Sequence, residues 1–439
     1  MTAYRECWRL AWPLILANIS VPLLGLVDTA VVGHLPGPHF LAGVALGAMV
    51  VSVLYFMFGF LRMGTTALCA QALGAGDTAE LRAVPVRALL VAALLGLTIV
   101  LLSWPILAVA ELIFAPGAAV RDSLATYLVI RLFGAPAALG SFVVLGWLLG
   151  LQDSRGPLAL LVLTNAVNAA LALLFVLGLG YGVAGVATAT LIAEYAGLAA
   201  GLLLVRRRWR RLGLGRTGLP EVLVRRRFLR LLAVNRDIFL RSASLEAAFL
   251  AFTALGSRQG EVILAANAVL MNLFTFSAYG LDGFAHAAEA MVGKAVGGRD
   301  VGALQSAARA AFGLAAALAL AMTLAFALGG PALIALLTDI ASVRAAAVAH
   351  LPFAAAVPVV AVWAFVLDGL FFGATRTAEL RNATAAAALV FAVAALALTG
   401  PFGNTGLWTA MLLFLAARGI FLGLLYWRAE AGAAFVRGG

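Results

Sequence analysis

Six carboxylates stand inside long apolar runs of this sequence. Asp28 follows Pro22 by six residues, Glu194 sits in the middle of a second run, and Asp237 and Glu246 share a third. Asp282 and Asp368 lie towards the ends of two more. An ionised carboxylate at the centre of a bilayer costs roughly 2.5–3.5 kcal/mol on insertion scales, so acids in such places point to chemistry or to pairing. Asp28 reads as a proton carrier. Burial disfavours its charged form, so it can take a proton on one side of a membrane and release it on the other. Pro22 can loosen the helix just before it and free a carbonyl. Glu194 and Glu246 are candidates to face a cavity and attract a cation, although the small residues Gly185, Ala189 and Gly197 around Glu194 also suit tight helix packing. Asp237 and Arg241 are spaced i, i+4 and can pair along one helix face. With Arg62, Asp282 and Asp368 they are expected at one depth, either as a gate or proton relay or as static neutralisation of buried charge.

Met57, Met271, Phe274 and Tyr279, with Met49, Tyr55 and Phe276, are candidates for the cavity wall. Thioether and aromatic surfaces suit flat, lipophilic cations of varied shape. Other chemistries find no footing. There is no Gly-x-x-x-x-Gly-Lys-Ser/Thr loop, so ATP is not expected as the direct energy source. The four histidines, His34, His39, His286 and His350, lack metal-ligand spacing, and no nucleophile–base arrangement stands out. Neither an enzyme nor a bound metal or cofactor is expected.

A length of 439 residues would suggest two or three soluble domains, but 64% of them are apolar and only 11% charged. With 30 basic and 19 acidic residues there are 49 charges, too few to cover a water-soluble protein of this size. Mean hydropathy is +1.06. Disorder, nucleic-acid binding and a disulfide scaffold are excluded together, and the two cysteines, Cys7 and Cys69, are expected to stay reduced. Arg5 and Arg9 lead straight into a long apolar segment, so no cleavable signal peptide is expected. Twelve apolar spans lie near 9–33, 41–68, 87–112, 124–150, 157–178, 183–205, 230–255, 262–286, 305–328, 346–372, 382–399 and 405–427. Runs this long, which must satisfy their own backbone in lipid, predict an all-α polytopic membrane protein.

Arginine sets the expected orientation. Eighteen basic residues lie in or at the edges of the even-numbered loops, and Arg5, Arg9, Arg428 and Arg437 bring that side to 22. The other side holds three, Arg121, Arg258 and Arg344. Both termini should therefore be cytoplasmic. Ten of the arginines fall between 206 and 230, a linker read as topogenic, with no nucleic-acid partner expected.

This linker separates an N-terminal half, 1–205, from a C-terminal half, 231–439, and the halves repeat at an offset of 223. Gly33 maps onto Gly256, Leu41-Ala42 onto Leu264-Ala265, and Gly150 onto Gly373. The segment Gln71-Ala72-Leu73-Gly74-Ala75-Gly76-Asp77 maps onto Lys294-Ala295-Val296-Gly297-Gly298-Arg299-Asp300. Six spans is an even number, so the repeat is parallel, about an axis along the membrane normal. Two six-helix lobes of this kind suit alternating access, which makes transport the leading class.

The same residues carry a family likeness. Val21-Pro22-Leu23-Leu24-Gly25-Leu26-Val27-Asp28-Thr29-Ala30-Val31-Val32-Gly33-His34-Leu35 resembles the first-helix signature of multidrug and toxic compound extrusion (MATE) transporters. Asn235-Arg236-Asp237-Ile238-Phe239-Leu240-Arg241, Leu281-Asp282-Gly283-Phe284-Ala285 and the stretch from Leu367 to Thr377 resemble the seventh, eighth and tenth helices of the DinF-like branch. The resemblance implies export of organic cations and drugs, driven by an inward proton or sodium gradient. It departs on helix 5, where the family often reads Asn-x-x-Leu-Asp and this chain reads Asn168-Ala169-Ala170-Leu171-Ala172. Asp28 is left with Asn165, Asn168 and Thr188 or Thr190 as neighbours. That argues against a sodium site there, since a hard cation prefers several oxygens including carboxylates.

The expectation is a proton-coupled multidrug antiporter, a monomer in the bacterial inner membrane, with protons, organic cations and membrane lipids as its partners. A lipid or lipid-linked precursor flippase is the alternative, with a channel or receptor behind it. A flippase for anionic lipids should carry several mid-span basic residues in the N-terminal lobe, where only Arg62 and Arg131 qualify.

Overall fold

The computed structural model describes residues 3–215, 218–431 and 435; Arg216 and Arg437 lie outside it, as does the side chain of Pro22. The described residues form helices and connecting turns, with no strand. In chain order the helices are α1 (Ala3–Val32), α2 (Pro38–Met57), α3 (Phe60–Ala75), α4 (Thr78–Leu101), α5 (Ser103–Phe114), α6 (Ala118–Leu132), α7 (Ala135–Gly150) and α8 (Arg155–Leu173). They continue as α9 (Gly182–Arg211), the short α10 (Leu219–Val222), α11 (Arg225–Ser257), α12 (Glu261–Gly297), α13 (Val301–Leu337), α14 (Ala341–Gly373) and α15 (Thr377–Ala431).

Nine helical stretches are each long and apolar enough to cross a membrane, and α6 with α7, bent by 47°, makes a tenth. The 30-residue α1 adds one. The 55-residue α15 holds two, because Gly403 at φ 56° turns the chain between them. The described residues therefore hold twelve spans. Two of the broken ones break where proline dictates. Pro105 has no N–H to give the Leu101 carbonyl, and α4 ends at Leu101; Pro136 stands in the same relation to Leu132, the last residue of α6. Large apolar side chains such as Leu112, Leu328, Leu336 and Leu396 are left fully outward, as expected of surfaces meeting lipid.

By contacts the chain groups into two compact units. One comprises Met1–Asn18, Ala70–Gly76 and Ala233–Gly439, the other Ile19–Cys69 and Asp77–Leu232. These units depart from the halves read in the sequence. Residues 3–18 and 70–76 group with the C-terminal spans, and the arginine linker groups with the N-terminal ones. The core of the first unit is aromatic, with Phe252 edge-on to Trp408 at 5.1 Å and Phe391 against Phe414 at 6.1 Å. A buried polar clamp sits beside it near Gly403. Asn267 and Asn404 exchange amide hydrogen bonds of 2.8 and 2.9 Å, and Trp408 Nε1 donates to Asn267 Oδ1 at 2.9 Å. The second unit has a smaller cluster of Val31, Val32, Val44, Tyr127, Val176 and Val186.

The offset of 223 reappears in the backbone. Asp77 caps α4 through Glu80 N at 2.9 Å, and Asp300 caps α13 through Ala303 N at 2.8 Å. Left-handed residues recur at Gly76 and Arg299, and again at Gln152 and Thr375. Close helix crossings recur too. A methyl group at Gly146 would overlap the Arg62 carbonyl, and one at Gly369 the Ala285 carbonyl, both pairs being related by the repeat. At the ends of α3 and α12 the relation closes on itself, since Gly74 lies on the Lys294 carbonyl and Gly297 on that of Gln71. Replacing the cap in Asp300→Ala should cost about 1 kcal/mol. The measurement is thermal unfolding in detergent, and an unchanged midpoint would mean the α13 terminus is held by other contacts.

The linker is bound down on its own unit. Arg87, fully buried, grips Glu80 through two 2.8 Å bonds and donates to the Val222 carbonyl at 2.8 Å. Arg227 reaches Glu80 at 2.6 Å and Asp77 at 3.2 Å, and Arg208 reaches Asp153 at 2.7 Å. Trp209 stands inside the arginine run, and the sequence reading passes over it. It stacks on Trp147 at 5.9 Å and donates to the Gly215 carbonyl at 3.1 Å, so its ring is engaged within the protein.

Candidate functional site

The second unit brings Asp28 of α1 against α8 and α9. Asp28 is 9% exposed, and one of its carboxylate oxygens is buried with no hydrogen-bond partner. Asn168 and Thr190 lie within its hydrogen-bonding reach, and Arg131 is the cation acting on it. Asn168 Nδ2 donates to Thr190 Oγ1 at 2.7 Å, and Thr190 Oγ1 also donates to the Val186 carbonyl of its own helix at 3.1 Å. Asn165 instead donates to the Ser20 carbonyl of α1 at 3.4 Å. Of the two threonines open in the sequence, Thr190 is the one engaged with Asn168. Ala172 is fully buried, so the position where the family often carries a carboxylate faces the packed interior.

The larger find is the partner of Glu194. Arg131 on α6 and Glu194 on α9 form an ion pair at 2.9 Å, with side chains only 9% and 14% exposed. Sequence reading marks both residues as lying within spans and does not join them. The break between α6 and α7 builds this site. Gly134 lies against the Glu194 carboxylate, where a Cβ would overlap Oε2. Hydroxyls add bonds to carbonyls at this break, Tyr55 donating to Arg131 O at 3.3 Å and Tyr195 to Phe133 O at 3.1 Å. Asp28, Arg131 and Glu194 together make two acids and one guanidinium. With all three ionised, one negative charge is left over in a desolvated cluster.

The first unit holds a different arrangement. Asp368 on α14 is clamped between Arg241 of α11 and Arg418 of α15, the latter at 2.7 Å. Both guanidinium groups are buried and lie over aromatic rings, Arg241 over Phe372 at 5.5 Å and Arg418 over Phe414 at 5.6 Å. The i, i+4 pairing of Asp237 with Arg241 is not what forms. Asp237 takes Arg381 of α15 at 2.6 Å and Arg236 at 3.0 Å, with Thr377 at 3.4 Å. Asp282 lies within electrostatic range of Arg418. Arg62, in the second unit, has a buried guanidinium nitrogen and gives its carbonyl to Thr66 at 2.9 Å. Arg418 and the fully buried Glu289, 3.8 Å from His286, are charged groups that the sequence reading leaves without a role.

The expected cavity residues separate on inspection. Phe274 is 6% exposed and packs edge-on against Phe249 at 5.2 Å, which makes it a core residue of the first unit. Met271 packs partly on that core, Met57 is half-buried, and the carbonyl of half-buried Tyr279 accepts from Asn18 at 3.2 Å. Glu246 is half-buried and has no ion-pair partner among the described residues. Cys7 and Cys69 are buried and unpaired.

The MatE family profile matches this chain twice, over 13–174 and again over 238–398. The chain belongs to the MATE family. Its two matches begin 225 residues apart, close to the offset of the repeat. DNA damage-inducible protein F of Escherichia coli (strain K12) is 47% identical over 424 residues, covering 97% of this chain and 92% of that one. The protein named "Probable multidrug resistance protein NorM" of Caulobacter vibrioides is 31% identical over 219 residues, covering 47% of this chain and 45% of that one. A crystal structure of a MATE in the bent conformation superposes with a TM-score of 0.89 at 23% identity, covering 99% of this chain and 96% of that one, which establishes the shared fold. As a MATE protein this is an integral membrane transporter, and not an enzyme.

Proposed function

We propose that this MATE protein exports amphipathic organic cations and drugs in exchange for protons, by alternating access. It works as a monomer in a bacterial inner membrane, with both termini cytoplasmic. The observation that carries the reading is the one unbalanced negative charge among Asp28, Arg131 and Glu194. A proton on Asp28 cancels it, and so does a monovalent organic cation, but the two together overshoot. Competition for a single desolvated charge is the elementary requirement of antiport. Protons fit better than sodium because Glu194 is committed to Arg131 and the groups around Asp28 are an amide and a hydroxyl, whereas a hard cation prefers several carboxylate oxygens. The drug-resistance name of the Caulobacter relative supports the substrate class, and the 22-to-3 arginine asymmetry supports the orientation.

In this reading Asp28, Asn165, Asn168 and Thr190 make the coupling site. Glu246, without an ion-pair partner among the described residues, is the acid left to draw a cation in the first unit, with Met271 and Tyr279 as candidate wall residues. Asp237 and Asp368 are paired with arginines of their own unit, and they remain gate candidates together with Arg62 and Asp282. The pairing of Arg131 with Glu194 weakens the flippase alternative, because one of the two mid-span cations is spent.

Proteoliposomes loaded with ethidium test the coupling. An imposed proton gradient should drive ethidium movement and a sodium gradient should not. Sodium-driven flux with no response to the proton gradient would reverse the coupling assignment, and flux indifferent to both would return the protein to the channel class.

A further inference from the structure

We infer that the first unit carries a binding groove for an anionic phospholipid between α13, α14 and α15, distinct from the transport site. A groove of about 510 Å³ opens on the outer face of these helices, with Phe312, Val359, Trp363, Ile420 and Gly423 on its walls. Phe312 and Tyr426 also line a second cavity of about 360 Å³, which adjoins the first. That second cavity is walled by Gln305 and Arg309. A cavity with a polar, cationic wall (the mouth) thus lies beside an apolar groove (the floor).

The polarity has the shape of a lipid. From Tyr426 back to Ala416 the groove follows α15 for ten residues, about 15 Å at the helical rise, the reach of most of an acyl chain. Gly419 on the floor lets α14 and α15 approach closely, since an added Cβ there would press on Trp363 at 3.1 Å. Phe312 and Trp363 pack against each other, centroids 5.7 Å apart, as part of the groove wall. At the mouth Arg309 is exposed. Its Nε donates to the Gln305 carbonyl at 3.3 Å, and its two terminal nitrogens have no partner among the described residues. A guanidinium fixed by one nitrogen, with its two-nitrogen fork turned outward, suits a phosphodiester oxygen pair. Apolar floor and cationic mouth together select a two-part ligand, which free phosphate and a neutral lipid each match only in half. The mouth lies where α13 begins and α15 ends, so under the orientation proposed above the lipid comes from the inner leaflet; the site itself does not depend on that orientation.

The full chain is reconstituted in phosphatidylcholine vesicles containing a small share of either phosphatidylglycerol or phosphatidylcholine with brominated acyl chains, and tryptophan quenching is read. Bromine quenches on contact, and the difference from Trp363→Phe isolates Trp363 among the eight tryptophans. Brominated phosphatidylglycerol should quench the Trp363 share about fivefold more effectively than brominated phosphatidylcholine, the attraction of one basic residue for an anionic lipid surface. Arg309→Gln should erase that preference and Arg309→Lys keep most of it. Arg309 is exposed and bonds only a carbonyl of its own helix, so both variants should melt as the wild type does. Equal quenching by the two lipids, or a preference that survives Arg309→Gln, overturns the proposal. Relief of quenching by ethidium would give the groove to the transported cation, relief by inorganic phosphate would reduce it to an anion site, and relief on raising the protein-to-lipid ratio would give it to a second copy. Any of these overturns it.

Discussion

Asp28→Asn should leave a folded protein whose ethidium efflux no longer responds to a proton gradient, falling to the leak of empty vesicles. The substitution changes almost nothing in shape. An amide keeps one oxygen for Thr190 and Asn168, and the buried oxygen that had no partner becomes either an amide nitrogen or a neutral carbonyl. What it removes is the ability to alternate between charged and neutral. Without Asp28's charge, Arg131 and Glu194 balance each other, and the cluster has no use for either a proton or a cation. Stopped efflux with an unchanged melting temperature is the expected pair of readings. Proton-driven efflux at the wild-type rate in this variant would remove Asp28 from the mechanism, whereas lost folding would reassign it to packing. Asp28→Glu, which keeps the titrating group, should retain part of the coupled flux.

Arg131→Met should be the most destabilising single change in the second unit, by about 3–5 kcal/mol, because it strands Glu194 in a desolvated pocket. Glu194→Met should cost less, because Asp28 remains to balance Arg131. The double variant should recover most of the loss, since two well-packed apolar side chains of similar volume often equal or exceed a buried ion pair. Thermal unfolding in detergent of the two single variants and the double measures the coupling directly. If the single losses add in the double, the pair is solvated and contributes like a surface bridge. The same series carries a functional reading. In Arg131→Met two acids, Asp28 and Glu194, are left with no cation, so the protein should hold a positively charged substrate more tightly and release it less readily.

Much of this protein is legible before it folds. Twelve spans follow from run length and from the prolines. Pro105 and Pro136 further explain why the third and fourth spans are broken where they are, through the missing N–H four residues on from Leu101 and Leu132. The repeat is equally legible. A constant offset in sequence returns as matched helix caps at Asp77 and Asp300 and matched left-handed residues at Gly76 and Arg299, because caps and left-handed turns are local requirements that a short sequence satisfies by itself. Burial of Asp28 could likewise be read from its apolar surroundings alone.

Pairing could not. Asp237 and Arg241 have the spacing of a helical ion pair, yet each finds its partner elsewhere, Asp237 on α15 and Arg241 on α14. A same-helix pair is worth a few tenths of a kcal/mol, whereas an uncompensated charge in a dry interior costs several. The buried Asp368 therefore draws in Arg241 and Arg418 whatever their distance along the chain. Glu194 draws in Arg131, 63 residues earlier, for the same reason, and Trp209 leaves the arginine run to stack on Trp147. Run length, helix ends and repeat are settled by neighbours in the chain, so they can be read from it. The charge balance on which the proposed coupling depends is settled by which helices meet at one depth in a low-dielectric interior, and only the folded molecule specifies that.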